Sequence, residues 1–92
     1  MSEKAQYRTA VSLDYQEGVS AAPLLAAKGD HLVADLIVST ARRFGVPVVE
    51  RPALARALRT IDIDQQIPED LYRAVAVVFN ELSRSLRTRG PL

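Results

Sequence analysis

The sequence predicts an α/β domain: a small mixed β-sheet of three to four strands with a right-handed βαβ unit, covered by three helices. Three observations lead to this reading. Residues 8–15 alternate apolar and polar with period two, the mark of a half-buried strand. Residues 30–45 carry apolar side chains at helical spacing between a capping-type Asp30 and a helix-ending Gly45. A β-branched run at 46–50 follows at once, so strand, helix and strand succeed one another through short connections.

The elements follow in chain order. In the first strand Thr9, Val11, Leu13 and Tyr15 alternate with Arg8, Ala10, Ser12 and Asp14. Residues 16–21 read as a loop, with Gly18 its most permissive backbone position. Pro23 opens a second strand over 24–27, a place where no ladder donor is needed. In the first helix Leu32, Val33, Leu36, Ile37, Thr40, Ala41 and Phe44 form the expected covered face. His31, Asp35, Ser39, Arg42 and Arg43 form the polar one. The two arginines fall in the last turn, where the helix dipole favours positive charge.

Residues 46–50 then form the expected third strand, parallel to the second. Pro52 suits the first turn of a shorter helix carrying Leu54, Ala55 and Leu58. Residues 60–66, where Ile61 and Ile63 alternate with Asp62 and Asp64, permit a short edge strand or a plain loop. Pro68, with Glu69 and Asp70 behind it, starts the last helix, whose apolar residues continue to Leu82 and Leu86. The expected boundaries are a linker-like segment at 1–7, one domain at 8–86 and a frayed tail at 87–92.

Composition narrows the function. With 92 residues there is room for one domain, and 48 % hydrophobic with 25 % charged residues is ordinary for a globular fold. Twelve basic residues against eleven acidic ones leave a net charge of +1, with no general pull toward nucleic acid or an anionic membrane. The longest uninterrupted apolar run, 74–79, falls far short of the ~20 residues of a membrane helix. The first residues have no apolar core of a signal peptide, and no cysteine offers a disulfide or a thiolate metal site. A monomeric cytoplasmic domain without cofactor or metal is the expectation.

Reactive groups are scarce. His31 is the single histidine and lacks the His, Cys or carboxylate partners of a metal or catalytic site. Ser12, Ser39, Thr40 and Ser83 have no nucleophile-elbow context, and residues 26–29 lack the glycine spacing of a phosphate loop. Asp62, Asp64 and Asp70 fit no calcium loop and read as solvated acids. Arg84, Arg87 and Arg89 read as favourable charge at a helix end rather than nucleic-acid contacts. The last helix is different. Leu71, Val75, Val78 and Leu82 complete one stripe, yet Tyr72, Ala76, Val77 and Phe79 are apolar as well. Either the helix is enclosed on most sides or it keeps apolar surface for a partner.

Several blocks, taken together, resemble the cytoplasmic C-terminal domain of the FlhB family of flagellar export-switch proteins, which includes the switch proteins of virulence type III secretion. Residues 8–15 and Ala22-Pro23-Leu24-Leu25-Ala26-Ala27-Lys28-Gly29 are similar to the family's strand and its "AP…VAKG" segment. Residues 45–50 with 52–58 are similar to "VP…E…PLARAL", and 67–76 to "IP..LY.AVA". The resemblance implies an α/β domain and a role in protein export. Members that switch specificity cleave themselves at Asn-Pro-Thr-His, through attack of the Asn amide on its own backbone carbonyl. The aligned positions here are Ala5, Gln6, Tyr7 and Arg8, and Ala5 has no nucleophile. The expectation is a stand-alone, uncleavable copy without the membrane half.

By the same resemblance, export substrates dock on an apolar patch that maps to Ala22, Pro23, Ala76 and Phe79, enlarged here by Val77. The implied function is a non-enzymatic binding module for export substrates, the ruler protein or other export-gate components. Cytoplasmic, it would be recruited to the membrane export gate, where it could stand in for the C-terminal half of the membrane switch protein. The alternative is a self-associating structural domain that pairs through its last helix.

Overall fold

A computed structural model of the chain describes residues 4–15 and 22–88. Strand β1 (Thr9–Asp14) and strand β2 (Leu24–Asp30) form an antiparallel two-stranded sheet. Helix α1 (Leu32–Arg43), helix α2 (Pro52–Leu58) and helix α3 (Tyr72–Thr88) follow, with a 3₁₀ turn over Glu69–Leu71 leading into α3. The loop expected at 16–21 and the tail at 89–92 lie outside the described residues. α3 reaches Arg87 and Thr88, the first two residues of the tail expected at 87–92.

The sheet is smaller than expected. Register runs from Thr9 opposite Asp30 to Asp14 opposite Leu24, and Ala26 is skipped between Ser12 and Leu13 as a bulge in β2. The second edge of β2 meets one isolated bridge, Leu24 to Gln66. Around it Leu25 N donates to Gln65 O (2.9 Å), Asp64 N to Leu25 O (2.7 Å) and Ile67 N to Pro23 O (3.2 Å). The 60–66 segment is thus a turn ending in a single strand-like contact. The parallel third strand at 46–50, and with it the βαβ unit, is absent from the described residues. Pro47 has no donor for a ladder, and residues 47–50 make no backbone–backbone hydrogen bond there.

Two apolar clusters lie on opposite faces of the sheet, as the alternation of side chains along a strand requires. On one face Ala10 of β1 packs with Ala34 and Val38 of α1, joined by Tyr7, Ile37 and Val48. On the other, Leu25, Leu58, Ile67, Val75 and Ala22 form the larger cluster, with Val11, Leu13, Leu54, Leu71 and Phe79 packed against it. The sheet is therefore sandwiched between α1 and the α2–α3 layer.

α1 turns to the sheet differently from its expected orientation. Its buried residues are Ala34 and Val38, with Ile37 and Ala41 half-buried, while Leu32, Val33, Leu36 and Phe44 are exposed. The reason is size. Ala34 and Ala10 are small, and Gly29, opposite Ala10, has no β-carbon; one there would collide with Val33. This lets the helix backbone sit close to the strands.

Asp30 is not the cap of α1. It is the last residue of β2, and His31 occupies the N-cap with φ 55° and no side-chain capping bond. Gly45 ends the helix in the left-handed region, at φ 73°, as expected of a C′ glycine.

Candidate functional site

Leu71, just before α3, and Val78 and Leu82 along it are half-buried and Val75 is buried, the stripe expected from their spacing; Phe79, expected outside that stripe, is half-buried as well. Successive helical residues turn by about 100°. That geometry sorts the remaining apolar residues. Tyr72 and Ala76 lie beside Phe79 on one flank of the stripe, and both are exposed. Val77 is 51 % exposed but points about 160° away from Phe79, so it does not extend the same surface.

The Phe79 ring leans on Tyr15, just after β1, with centroids 5.7 Å apart and planes tilted by 38°. Such tilted aromatic pairs are favourable beyond the area they bury. Ala22 (1 % exposed) and Pro23 are buried, and Ala22 belongs to the cluster against which Phe79 packs. The fold therefore brings Ala22 and Phe79 together, with Ala76 one helical turn from Phe79, but Ala22 and Pro23 are buried rather than at the surface. The accessible rim is Tyr15, Tyr72 and Ala76 with the edge of Phe79. Tyr15 carried no sequence signal as a site residue, because its partner is 64 positions away.

Residues 5–8, the positions expected to align with the cleavage motif, are tied down. Asp35 of α1 accepts the backbone N–H groups of Gln6 (2.9 Å) and Tyr7 (2.8 Å), one on each carboxylate oxygen. The Tyr7 ring packs against the Ala10–Ala34–Val38 cluster, and Arg8 O accepts from His31 N at 3.0 Å. Ala5 is half-buried and supplies only a methyl group.

Polar contacts elsewhere position elements. Asp30 accepts from Thr9 Oγ1 (2.9 Å) and pairs with Arg59 through both its oxygens (3.0 and 2.9 Å). The Thr9 hydrogen bond, followed by the Arg59 guanidinium, holds its carboxyl below its ordinary range. Lys28 Nζ donates to the carbonyls of Arg59 (3.1 Å) and Ile61 (2.8 Å), at the end of α2. Arg51 pairs with Glu81 of α3. Among the described residues no group of three or more His, Cys, Asp and Glu is placed to hold a metal ion. None of their helices is long and apolar enough to cross a membrane.

The comparison with known families is decisive: the model of the FlhB HrpN YscU SpaS family matches residues 7–82. The chain belongs to this family. Its relatives include an uncharacterized protein, YlqH of Bacillus subtilis, 41 % identical over 80 residues that cover 87 % of this chain and 86 % of YlqH. The flagellar biosynthetic protein FlhB of Escherichia coli is 49 % identical over 69 residues, covering 74 % of this chain but 18 % of FlhB.

Solved structures agree on the fold. The PscU C-terminal domain superposes with a TM-score of 0.77 at 37 % identity, covering 82 % of this chain and 96 % of that one. The cytoplasmic domain of FlhB from Shewanella putrefaciens gives 0.78 at 44 % identity, over 91 % of this chain and 68 % of that one. Membership of the FlhB family supports a role in flagellar or type III protein export.

Proposed function

We propose that this domain is a non-catalytic docking module of the export apparatus. It binds export substrates or the ruler protein on the rim of Tyr15, Tyr72, Ala76 and Phe79, and acts on the cytoplasmic side of the membrane. The observation that carries the reading is the exposed Ala76, one helical turn from a Phe79 held against the core and against Tyr15. An apolar rim resting on a rigid floor offers a pre-formed surface to an incoming side chain. In the same reading the domain does not cleave itself, because Ala5 replaces the Asn whose amide would attack.

An NMR titration of the labelled domain with the C-terminal domain of a ruler protein, and with a hook-type export substrate, tests the proposal. Shifts are expected at Tyr72, Ala76 and Phe79 and are expected to disappear in Ala76→Glu, a substitution at an exposed position that leaves the fold intact. Binding that survives Ala76→Glu unchanged overturns it.

A second reading is self-association, and one observation favours moving it from α3 to α1. There Leu32, Leu36 (63 % exposed) and Phe44 (72 % exposed) leave more large apolar surface uncovered than residues 72–82 of α3 do. Sedimentation at rising concentration separates the two readings, since only self-association changes the mass of the isolated domain.

A further inference from the structure

We propose that α1 pairs with α1 of a second copy of this chain, antiparallel, across a two-fold axis that meets its outer side at the level of Val38. Among the described residues α1 is the outer layer on its side of the sheet, and Leu32, Val33, Leu36 and Phe44 are each more than half exposed. Successive helical residues turn by about 100°, so Leu32, Leu36, Thr40 and Arg43 share one ridge of that outer side. Val33 and Phe44 lie together on one flank of the ridge. Asp35 and Arg42 lie together on the other.

Charge along the helix matches it to itself. Asp35 stands in the first turn, and Arg42 and Arg43 stand in the last. None of the three forms an ion pair among the described residues. Each oxygen of Asp35 accepts one backbone N–H, from Gln6 or from Tyr7, and keeps a lone pair for a cation. In an antiparallel two-fold pair each flank meets the same flank of the other copy, so the arginines of one helix come beside Asp35 of the other. The helix dipoles are then opposed as well. A parallel pair would set arginine against arginine and Asp35 against Asp35, so charge selects the antiparallel arrangement.

The apolar residues fit the same axis. Phe44 of one copy comes over Val33 of the other, and Leu36 comes opposite Thr40, a large residue against a smaller one. The four exposed apolar side chains leave on the order of 450 Å² uncovered in each copy, so a symmetric pair hides roughly 900 Å². Ser39, Thr40 and Arg43, also exposed, bring the total past the ~1,000 Å² expected of a specific interface. The pairing rests on the self-association reading above and gives it a residue-level geometry. It uses no residue of the rim on α3, so a paired domain keeps that rim accessible.

The test uses the full chain in two measurements. Sedimentation equilibrium up to about 1 mM is expected to show the mass rising from one chain to two and no further. Leu36→Glu, at an exposed position, is expected to raise the dissociation constant about tenfold or more with an unchanged circular dichroism spectrum. Ala76→Glu, which tests the α3 rim, is expected to leave the mass curve as it is. The second measurement fixes the orientation, and the absence of native cysteine makes it clean. Thr40→Cys, near the axis, is expected to be linked to its equivalent by a short bismaleimide. Leu32→Cys is expected not to be, since its equivalent lies about 18 Å away along the helix, but to link to Phe44→Cys when the two variants are mixed. Four outcomes overturn the proposal: a one-chain mass throughout, growth beyond two chains, association indifferent to Leu36→Glu, or Leu32→Cys linking to itself as readily as Thr40→Cys. The last would mean a parallel pair.

Discussion

His31 is the residue at which the backbone departs furthest from what its side chain prefers. At φ 55° and ψ −119° it lies where a β-carbon is crowded and glycine is not. His31→Gly is expected to stabilise the domain by about 1 kcal/mol, relief of strain outweighing the added freedom of the unfolded chain. A rise in the thermal midpoint checks this; an unchanged or lower midpoint would show that the His31 side chain contributes more than its backbone costs. Its neighbour Asp30 gives the domain a pH response. Its carboxyl is held below the ordinary value by Thr9 and then Arg59, so the native state binds this proton less readily than the unfolded chain. The stabilisation is therefore present above about pH 4 and is lost as pH falls through the lowered native value. Asp30→Asn is expected to flatten that acid limb of a stability–pH curve measured by urea unfolding.

Among the elements, α2 is the shortest helix, and its end is held from outside. Lys28, in the middle of β2, reaches the carbonyls of Arg59 and Ile61, where a cation satisfies acceptors that the helix leaves unpaired. Asp30, two residues on along β2, grips Arg59 by its side chain. The Lys28-Gly29-Asp30 sequence therefore has three structural duties: a clamp on α2, a close approach for α1, and a second clamp on α2. Lys28→Met keeps the aliphatic stem and removes the donors. It is expected to lower stability by about 1–2 kcal/mol, read from the urea midpoint, with faster hydrogen exchange at the amides of α2. α1 shows the limit of periodicity. Its apolar residues surround most of its circumference, so spacing identified the helix and not the side that it buries.

At the scale of the whole molecule, one thin sheet separates two clusters and couples them. Leu25, 0 % exposed, sits in the larger cluster, which gathers residues from β2, α2 and α3 and from the segment before α3. Leu25→Ala is expected to cost about 3 kcal/mol through lost burial and the cavity left behind. Because the clusters share the sheet, tyrosine fluorescence and far-ultraviolet circular dichroism should report one coincident transition at a lower midpoint. Separate transitions for the two probes would mean that the α1 side and the α2–α3 side unfold independently.

Local information was enough for much of this protein. The alternation in β1, Gly45 at the end of α1, Pro52 and Pro68 at the starts of α2 and the last helical segment, and the buried stripe of α3 all depend on neighbours within a few positions. The dispersed blocks that reveal the family are legible for the same reason. The expectation that Ala5 stands at the cleavage position rests on residue identities alone. Contacts between distant segments decided the rest. Small residues at Ala10, Gly29 and Ala34 chose the face that α1 buries, and Pro47 with the packing of Val48 left 46–50 out of the sheet. The same long-range packing buried Ala22 and Pro23 and set Tyr15 on Phe79, whereas Val77 points away from Phe79 by helical spacing alone. Spacing along a chain specifies which residues share a side of an element; what covers that side is settled only when the elements meet.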